Sequence, residues 1–77
     1  MNLRWKKKLS GGEVFFKPCS FQTPTGVTIR VLKQPTLEKQ LEVLIKWIDT
    51  LPDEKSKYNI IVEVLHYLEK GWRFDYE

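Results

Sequence analysis

The sequence predicts an α+β domain in which a small antiparallel sheet of three to four strands packs against a two-helix hairpin. Segments within residues 1–33 alternate apolar and polar side chains with the period of a strand, which predicts a basic strand meander. Residues 36–70 carry apolar side chains at helical spacing on both sides of Pro52. Residues 72–77 return to alternation and predict an aromatic tail or an edge strand. The chain, residues 1–77, is therefore predicted to be one domain.

The predicted sheet begins with a hairpin. Leu3, Trp5 and Leu9 alternate with basic residues, which predicts a strand with these three side chains on its buried face. The Gly-Gly pair that follows supplies the positive φ that a tight turn requires. Glu13–Lys17 predicts the second strand, and Pro18 either ends it or places it at an edge of the sheet, because proline has no N–H for the ladder.

The third predicted strand is Val27–Leu32. Its residues are mostly β-branched, and Val27, Ile29 and Val31 would share one face of a strand. Residues 20–26 precede it and predict a loop, because they contain both proline and glycine. Three consecutive strands with short connections predict an antiparallel meander.

The first predicted helix begins after Thr36, which is a suitable N-cap. Its apolar residues recur at spacings of four and three, with charged residues on the opposite side, which predicts one buried face. The apolar set is Leu37, Leu41, Leu44, Ile48 and Leu51. Pro52 interrupts this helix and suits the first turn of another.

The second predicted helix ends at Gly71, which lies where a C-cap glycine belongs. Thr50 is the predicted cap at its start. Its broad apolar face is predicted to be buried and consists of Ile60, Ile61, Val64, Leu65, Tyr67 and Leu68. The opposite, exposed face is predicted to carry Asn59, Glu63, His66 and Lys70. The run at residues 60–62 also fits a strand, but the length of the periodic segment favours a helix.

Charge is distributed unevenly along the chain. Residues 1–33 contain seven Lys or Arg side chains and one acidic side chain, whereas residues 34–77 contain six and nine, for a net charge of +3. This pattern bears on partners and solubility rather than on fold.

The basic first strand predicts a nucleic-acid contact surface. Basic side chains from neighbouring strands would join it, and either Phe15 or Phe16 must point to the uncovered side of the sheet, where it could stack with bases. The alternative is that these lysines are only solvated and prevent aggregation of an edge strand. The candidate nucleic-acid contacts are Arg4, Lys6, Lys8, Lys17 and Arg30.

The C-terminal aromatic residues have two interpretations. Trp72, Phe74 and Tyr76 alternate with charged residues, so they predict an edge strand packed under the helices. If they are exposed instead, they are candidate contacts for a protein partner. A terminal strand could also pair with a second copy and form a homodimer.

No catalytic, cofactor or metal site is predicted. Cys19 and His66 are the only cysteine and histidine, and a zinc site needs more ligands than this pair provides. The lone thiol fits a reducing compartment, which predicts a cytoplasmic protein. No apolar run is long enough to predict a membrane span.

These observations predict a small, non-catalytic interaction or regulatory module that binds a protein partner or itself. The alternative is a nucleic-acid-binding module that uses the basic face of the sheet. The sequence does not identify the partner.

Overall fold

The structure, a computed structural model, describes residues 2–76, which form a three-stranded antiparallel sheet and three helices. The elements in chain order are β1 (Leu3–Lys8), β2 (Val14–Pro18), α1 (Thr25–Leu32), α2 (Leu37–Ile48), α3 (Glu54–Glu69) and β3 (Arg73–Tyr76). This arrangement confirms the predicted α+β class. Residues 1 and 77, at the two ends of the predicted domain, lie outside the described part.

The sheet has the strand order β2-β1-β3, so β1 is its central strand. Trp5 lies opposite Lys17 on β2 and opposite Phe74 on β3. The predicted turn between β1 and β2 is present, and Gly12 adopts a φ of 86° there. Leu9 was predicted to be buried, but it lies past the end of β1 and is exposed.

The prediction of a third strand at Val27–Leu32 was wrong, because this segment is helix α1. Its buried side chains are Val27, Thr28 and Val31, which share one face of a helix rather than one face of a strand. The Thr28 hydroxyl donates to the Pro24 carbonyl, so the polar group of this buried residue is satisfied within the helical turn. The meander is therefore a two-stranded hairpin, and β3 supplies the third strand.

The predicted helical hairpin is present as α2 and α3. Thr36 caps α2 by accepting a hydrogen bond from the Lys39 N–H at 3.2 Å. The cap of α3 is Asp53 rather than the predicted Thr50, since its carboxylate accepts from the Lys55 N–H and from the Ser56 hydroxyl. Thr50 donates instead to a carbonyl of α2. No helix within residues 2–76 has the length and apolar character needed to cross a membrane.

The core lies between the sheet and the helices, with Trp5 at its centre. The Trp5 ring is fully buried and stacks between Tyr67, at 5.0 Å, and Phe74, at 4.8 Å between ring centroids. Aromatic pairs at this spacing add to the free energy gained by burial. The buried apolar residues come from both ends of the chain and from all three helices: Leu3, Trp5, Phe21, Val27, Val31, Leu44, Ile48, Ile60, Val64 and Phe74.

Candidate interaction surfaces

The side of the sheet that faces away from the helices carries part of the predicted basic patch. Arg4, Lys6 and Lys8 alternate with the buried residues of β1 and therefore point to this side. Lys6 lies opposite Phe16 on β2, so Phe16 rather than Phe15 belongs to the same face. We call this surface, formed by Arg4, Lys6, Lys8 and Phe16, the outer sheet face.

Two groups of the outer sheet face are already engaged within the molecule. Arg4 Nη2 lies 3.0 Å from Asp75 Oδ2, and its Nε also donates to that oxygen at 3.2 Å. The Arg4 guanidinium lies 3.7 Å from the centroid of the Phe16 ring and covers one side of it. Among the residues that carry this face, Lys6 and Lys8 therefore have the exposed charges, and Phe16 offers a single free ring surface.

Lys17 and Arg30 do not belong to the outer sheet face. Lys17 points to the opposite side of β2, where its ammonium lies 5.2 Å from the Tyr67 ring centroid. A hydrogen bond to Tyr67 raises the pKa of Lys17 above its usual value. Arg30 lies on α1, beside a groove that it shares with Lys46 and Trp47 of α2. The structure thus brings together three of the five predicted nucleic-acid contacts.

The C-terminal aromatic residues are divided between core and surface. Phe74 is buried against Trp5, as expected for an edge strand packed under the helices. Trp72 is half-buried and makes an edge-to-face contact with Tyr67. Tyr76 is exposed and borders a small pocket beside α1. These three side chains therefore do not form one exposed strip.

A second exposed surface is apolar and lies on α2 and α3, partly on the face of α3 that was predicted to be buried. Ile61 and Leu65 belong to the broad face that was predicted to be buried, but both are exposed. They adjoin a groove between α2 and α3 whose lining residues are all apolar: Leu41, Leu44, Ile45, Ile48, Ile61, Val64 and Leu65. We call the exposed part of this surface the apolar helical face, formed by Ile45, Tyr58, Ile61, Val62 and Leu65.

The buried side of α3 matches the predicted one only in part, and Glu63 explains the difference. Ile60 and Val64 are buried as predicted, and Tyr67 and Leu68 are half-buried. The sequence placed Glu63 on the solvent face, but its Oε2 accepts hydrogen bonds from Trp5 Nε1–H and from the Ser20 N–H, each at 3.1 Å. The Ser20 hydroxyl donates to the other oxygen. Because Glu63 turns toward the sheet, the side of α3 that carries Tyr58, Val62 and Leu65 turns toward solvent.

Cys19 and His66 do not have the character of a nucleophile and its base. Burial raises the pKa of the Cys19 thiol to about 12, with a further contribution from the negative charge of Glu63. A neutral thiol is a poor nucleophile, because the thiolate is the reactive form. His66 is exposed on α3 and makes an edge contact with Tyr67. Within residues 2–76, no three potential metal ligands lie together.

Comparisons with protein-family models, with curated proteins and with solved structures found no match to this chain.

Proposed function

We propose that this protein is a small, non-catalytic interaction module that binds protein through its apolar helical face. The observation that carries the proposal is the exposure of large apolar side chains in one contiguous region, with Tyr58 at 68% and Leu65 at 62% of their full accessible area. Large exposed apolar patches on small proteins are characteristic of interaction sites.

The shape of this face supports the proposal. The groove between α2 and α3 offers apolar walls, and Ile45 and Ile61 stand at its edges. The groove measures about 90 Å³, so it has room for an apolar side chain of a partner element that lies across it, such as an amphipathic helix. Tyr58 adds a rigid aromatic side chain of the type that contributes strongly to protein interfaces.

We place the module in the cytoplasm, since an unpaired cysteine suits a reducing compartment.

Site-specific photocrosslinking in cells that express the protein tests this function. A photoreactive phenylalanine analogue at Tyr58 or Leu65 should give protein adducts of defined mass. The same analogue at Lys39, which is exposed on α2 and does not line the groove, is the matched control. The Tyr58 and Leu65 adducts should also disappear when Val62 is changed to lysine. Equal adduct patterns from Lys39 and Leu65 would refute the proposal.

A nucleic-acid-binding function is the second candidate, and the outer sheet face is the observation that favours it. Lys6 and Lys8 project from the same face as Phe16, which is 48% exposed. Lysines neutralise phosphates, and an exposed aromatic ring stacks with unpaired bases. The engagement of Arg4 by Asp75 reduces the free charge of this face, so we rank this function second.

The second candidate is tested by titration with a fluorescent single-stranded oligonucleotide at several salt concentrations. The Lys6→Glu, Lys8→Glu double variant spares the Arg4–Asp75 ion pair and should abolish binding. Lys39→Glu with Lys70→Glu changes the net charge equally at two exposed sites, on α2 and at the C-cap of α3, and should preserve most of the oligonucleotide binding. A binding constant that does not fall as salt increases would exclude a phosphate-contacting surface.

A further inference from the structure

Helix α3 has two opposite apolar sides, and only one of them is used within the molecule. The inner side packs against the sheet and α2 through Ile60, Val64 and Tyr67. The outer side carries a row of exposed residues at alternating spacings of three and four: Lys55, Tyr58, Val62, Leu65 and Glu69. This is the spacing of the contact positions along a helix that pairs with another helix.

The row is complementary to itself in the antiparallel direction. If two copies of α3 run in opposite directions with Val62 at the centre, Val62 meets Val62 of the second copy. Lys55 then lies opposite Glu69 at both ends of the pair, since each is seven residues from Val62. Tyr58 and Leu65 lie four and three residues from Val62, so they come within about 1.5 Å of each other along the helix axis. In the parallel direction, like charges would meet at both ends of the row. Within residues 2–76, neither Lys55 nor Glu69 forms an ion pair with another side chain of its own chain.

We propose that the occupant of the apolar helical face is a second copy of this chain, packed antiparallel along α3 about a two-fold axis at Val62. The proposal deepens the proposed function and rests on it. A two-fold interface uses the same patch on both subunits, which a row complementary to itself provides.

The flanks of the row agree with this arrangement. On the α2 side, Ile61 continues the apolar surface toward Ile45 across the groove, so pairing would cover the groove edge as well. On the other side, Asn59 and His66 are exposed and would lie at a polar rim. An apolar centre with a polar rim is the usual anatomy of a protein interface.

Sedimentation equilibrium over a range of protein concentrations tests the proposal. The wild-type chain should form a dimer whose fraction rises with concentration. Val62→Lys places two lysines at the axis and should weaken the dimer by at least about tenfold. Gln22→Lys adds the same charge in an exposed loop, and it should leave the dimer unchanged. Circular dichroism spectra of both variants should match the wild type.

Charge reversal tests the antiparallel register itself. Lys55→Glu alone places like charges opposite Glu69 at both ends, so the dimer should weaken by roughly tenfold. Glu69→Lys alone should do the same. The double reversal, Lys55→Glu with Glu69→Lys, should restore the wild-type dissociation constant because it re-forms both pairs. Failure of the double reversal to recover binding would overturn this register.

A monomeric wild-type chain at all concentrations would overturn the second copy as the occupant. The crosslinking experiment separates this outcome from failure of the proposed function, because adducts between Leu65 and a different protein would preserve the role of the face. Adducts between two copies at Leu65 would support both the proposed function and the second copy as the occupant. Absence of any Leu65-specific adduct would reject both.

Discussion

At the scale of single residues, Glu63 holds three parts of the chain together. Its carboxylate joins α3 to the fully buried Trp5 on β1 and to Ser20 in the loop before α1. A hydrogen bond to a charged acceptor contributes more than a neutral one, and a buried N–H left without an acceptor is costly. Glu63 therefore contributes to stability and sets the rotation of α3.

We expect Glu63→Ala to lower the free energy of unfolding by about 1–3 kcal/mol, because it leaves the Trp5 N–H without an acceptor. Glu63→Gln keeps one acceptor oxygen and should cost less. The measurement is urea unfolding followed by circular dichroism, with Glu42→Ala on the exposed side of α2 as the control. If Glu63→Ala and Glu42→Ala shift the midpoint equally, the hydrogen bonds to Glu63 do not stabilise the fold.

The thiol of Cys19 should react slowly in the folded protein. Its pKa is raised to about 12, chiefly by burial, so very little thiolate exists at about pH 8. Reaction with a disulfide reagent should accelerate strongly in urea. A cysteine introduced at exposed Ser10, with Cys19→Ala, should react quickly without urea and serves as the control.

The same pKa shift makes stability depend on alkaline pH. Because the folded-state pKa of Cys19 is raised, the neutral thiol favours folding below its ordinary pKa of 9.0, and this contribution is lost as pH rises toward about 12. The stability of the wild type should therefore fall relative to that of Cys19→Ala over this window. A constant difference between the two proteins would contradict the burial of the thiol.

At the scale of elements, local sequence predicted both helices of the hairpin and both strands of the β-hairpin, but not α1. Val27–Leu32 is rich in β-branched residues, yet such residues favour strands only where a sheet can receive them. Here β3 occupies the free side of β1, and Val27 and Val31 are buried in the helical core instead. This choice depends on residues distant in sequence, so the local pattern could not reveal it.

The two candidate surfaces could be predicted from the sequence only in part. Alternation along β1 correctly placed Arg4, Lys6 and Lys8 on one face. The apolar stripe of α3 is wider than one buried face requires, and sequence alone could not decide which half is exposed. The hydrogen bonds of Glu63 to Trp5 and Ser20 turn the Glu63 side of α3 inward. In the sequence, however, Glu63 looks like an ordinary surface carboxylate.

The helical state of α1 has a simple test. Gly26 lies in the first turn of α1, and a Cβ at this position meets nothing within 4 Å. Gly26→Ala should therefore stabilise the protein by a few tenths to about 1 kcal/mol, because alanine loses less entropy in a helix. The change in stability is measured by thermal unfolding of the variant and the wild type. Gly12→Ala is the contrasting control, since its φ of 86° disfavours a side chain and the variant should melt at a lower temperature.

At the scale of the whole molecule, the two candidate surfaces lie on opposite sides. The outer sheet face points away from the helices, and the apolar helical face lies on the side of α3 that is turned away from the sheet. Binding at one surface should therefore leave the other accessible.

We accordingly expect the variants of the two surfaces to have separate effects. The Lys6→Glu, Lys8→Glu double variant should leave the dimer dissociation constant unchanged, since its substitutions lie outside the helical interface. Val62→Lys should leave the intrinsic oligonucleotide affinity of each chain unchanged. Sedimentation and fluorescence titration of both variants measure this. Coupled losses in either variant would show that the surfaces are not independent.

The position of β1 between β2 and β3 also has a consequence for how fast the chain folds. Leu3 pairs with Tyr76, so the central strand completes its pairing only with residues from the other end of the sequence. Closing so long a loop slows folding without changing the native contacts. A circular permutant that joins the ends through a short flexible linker, and opens between Leu51 and Pro52, would make every strand pair local. In stopped-flow experiments it should refold faster than the natural order of the same residues.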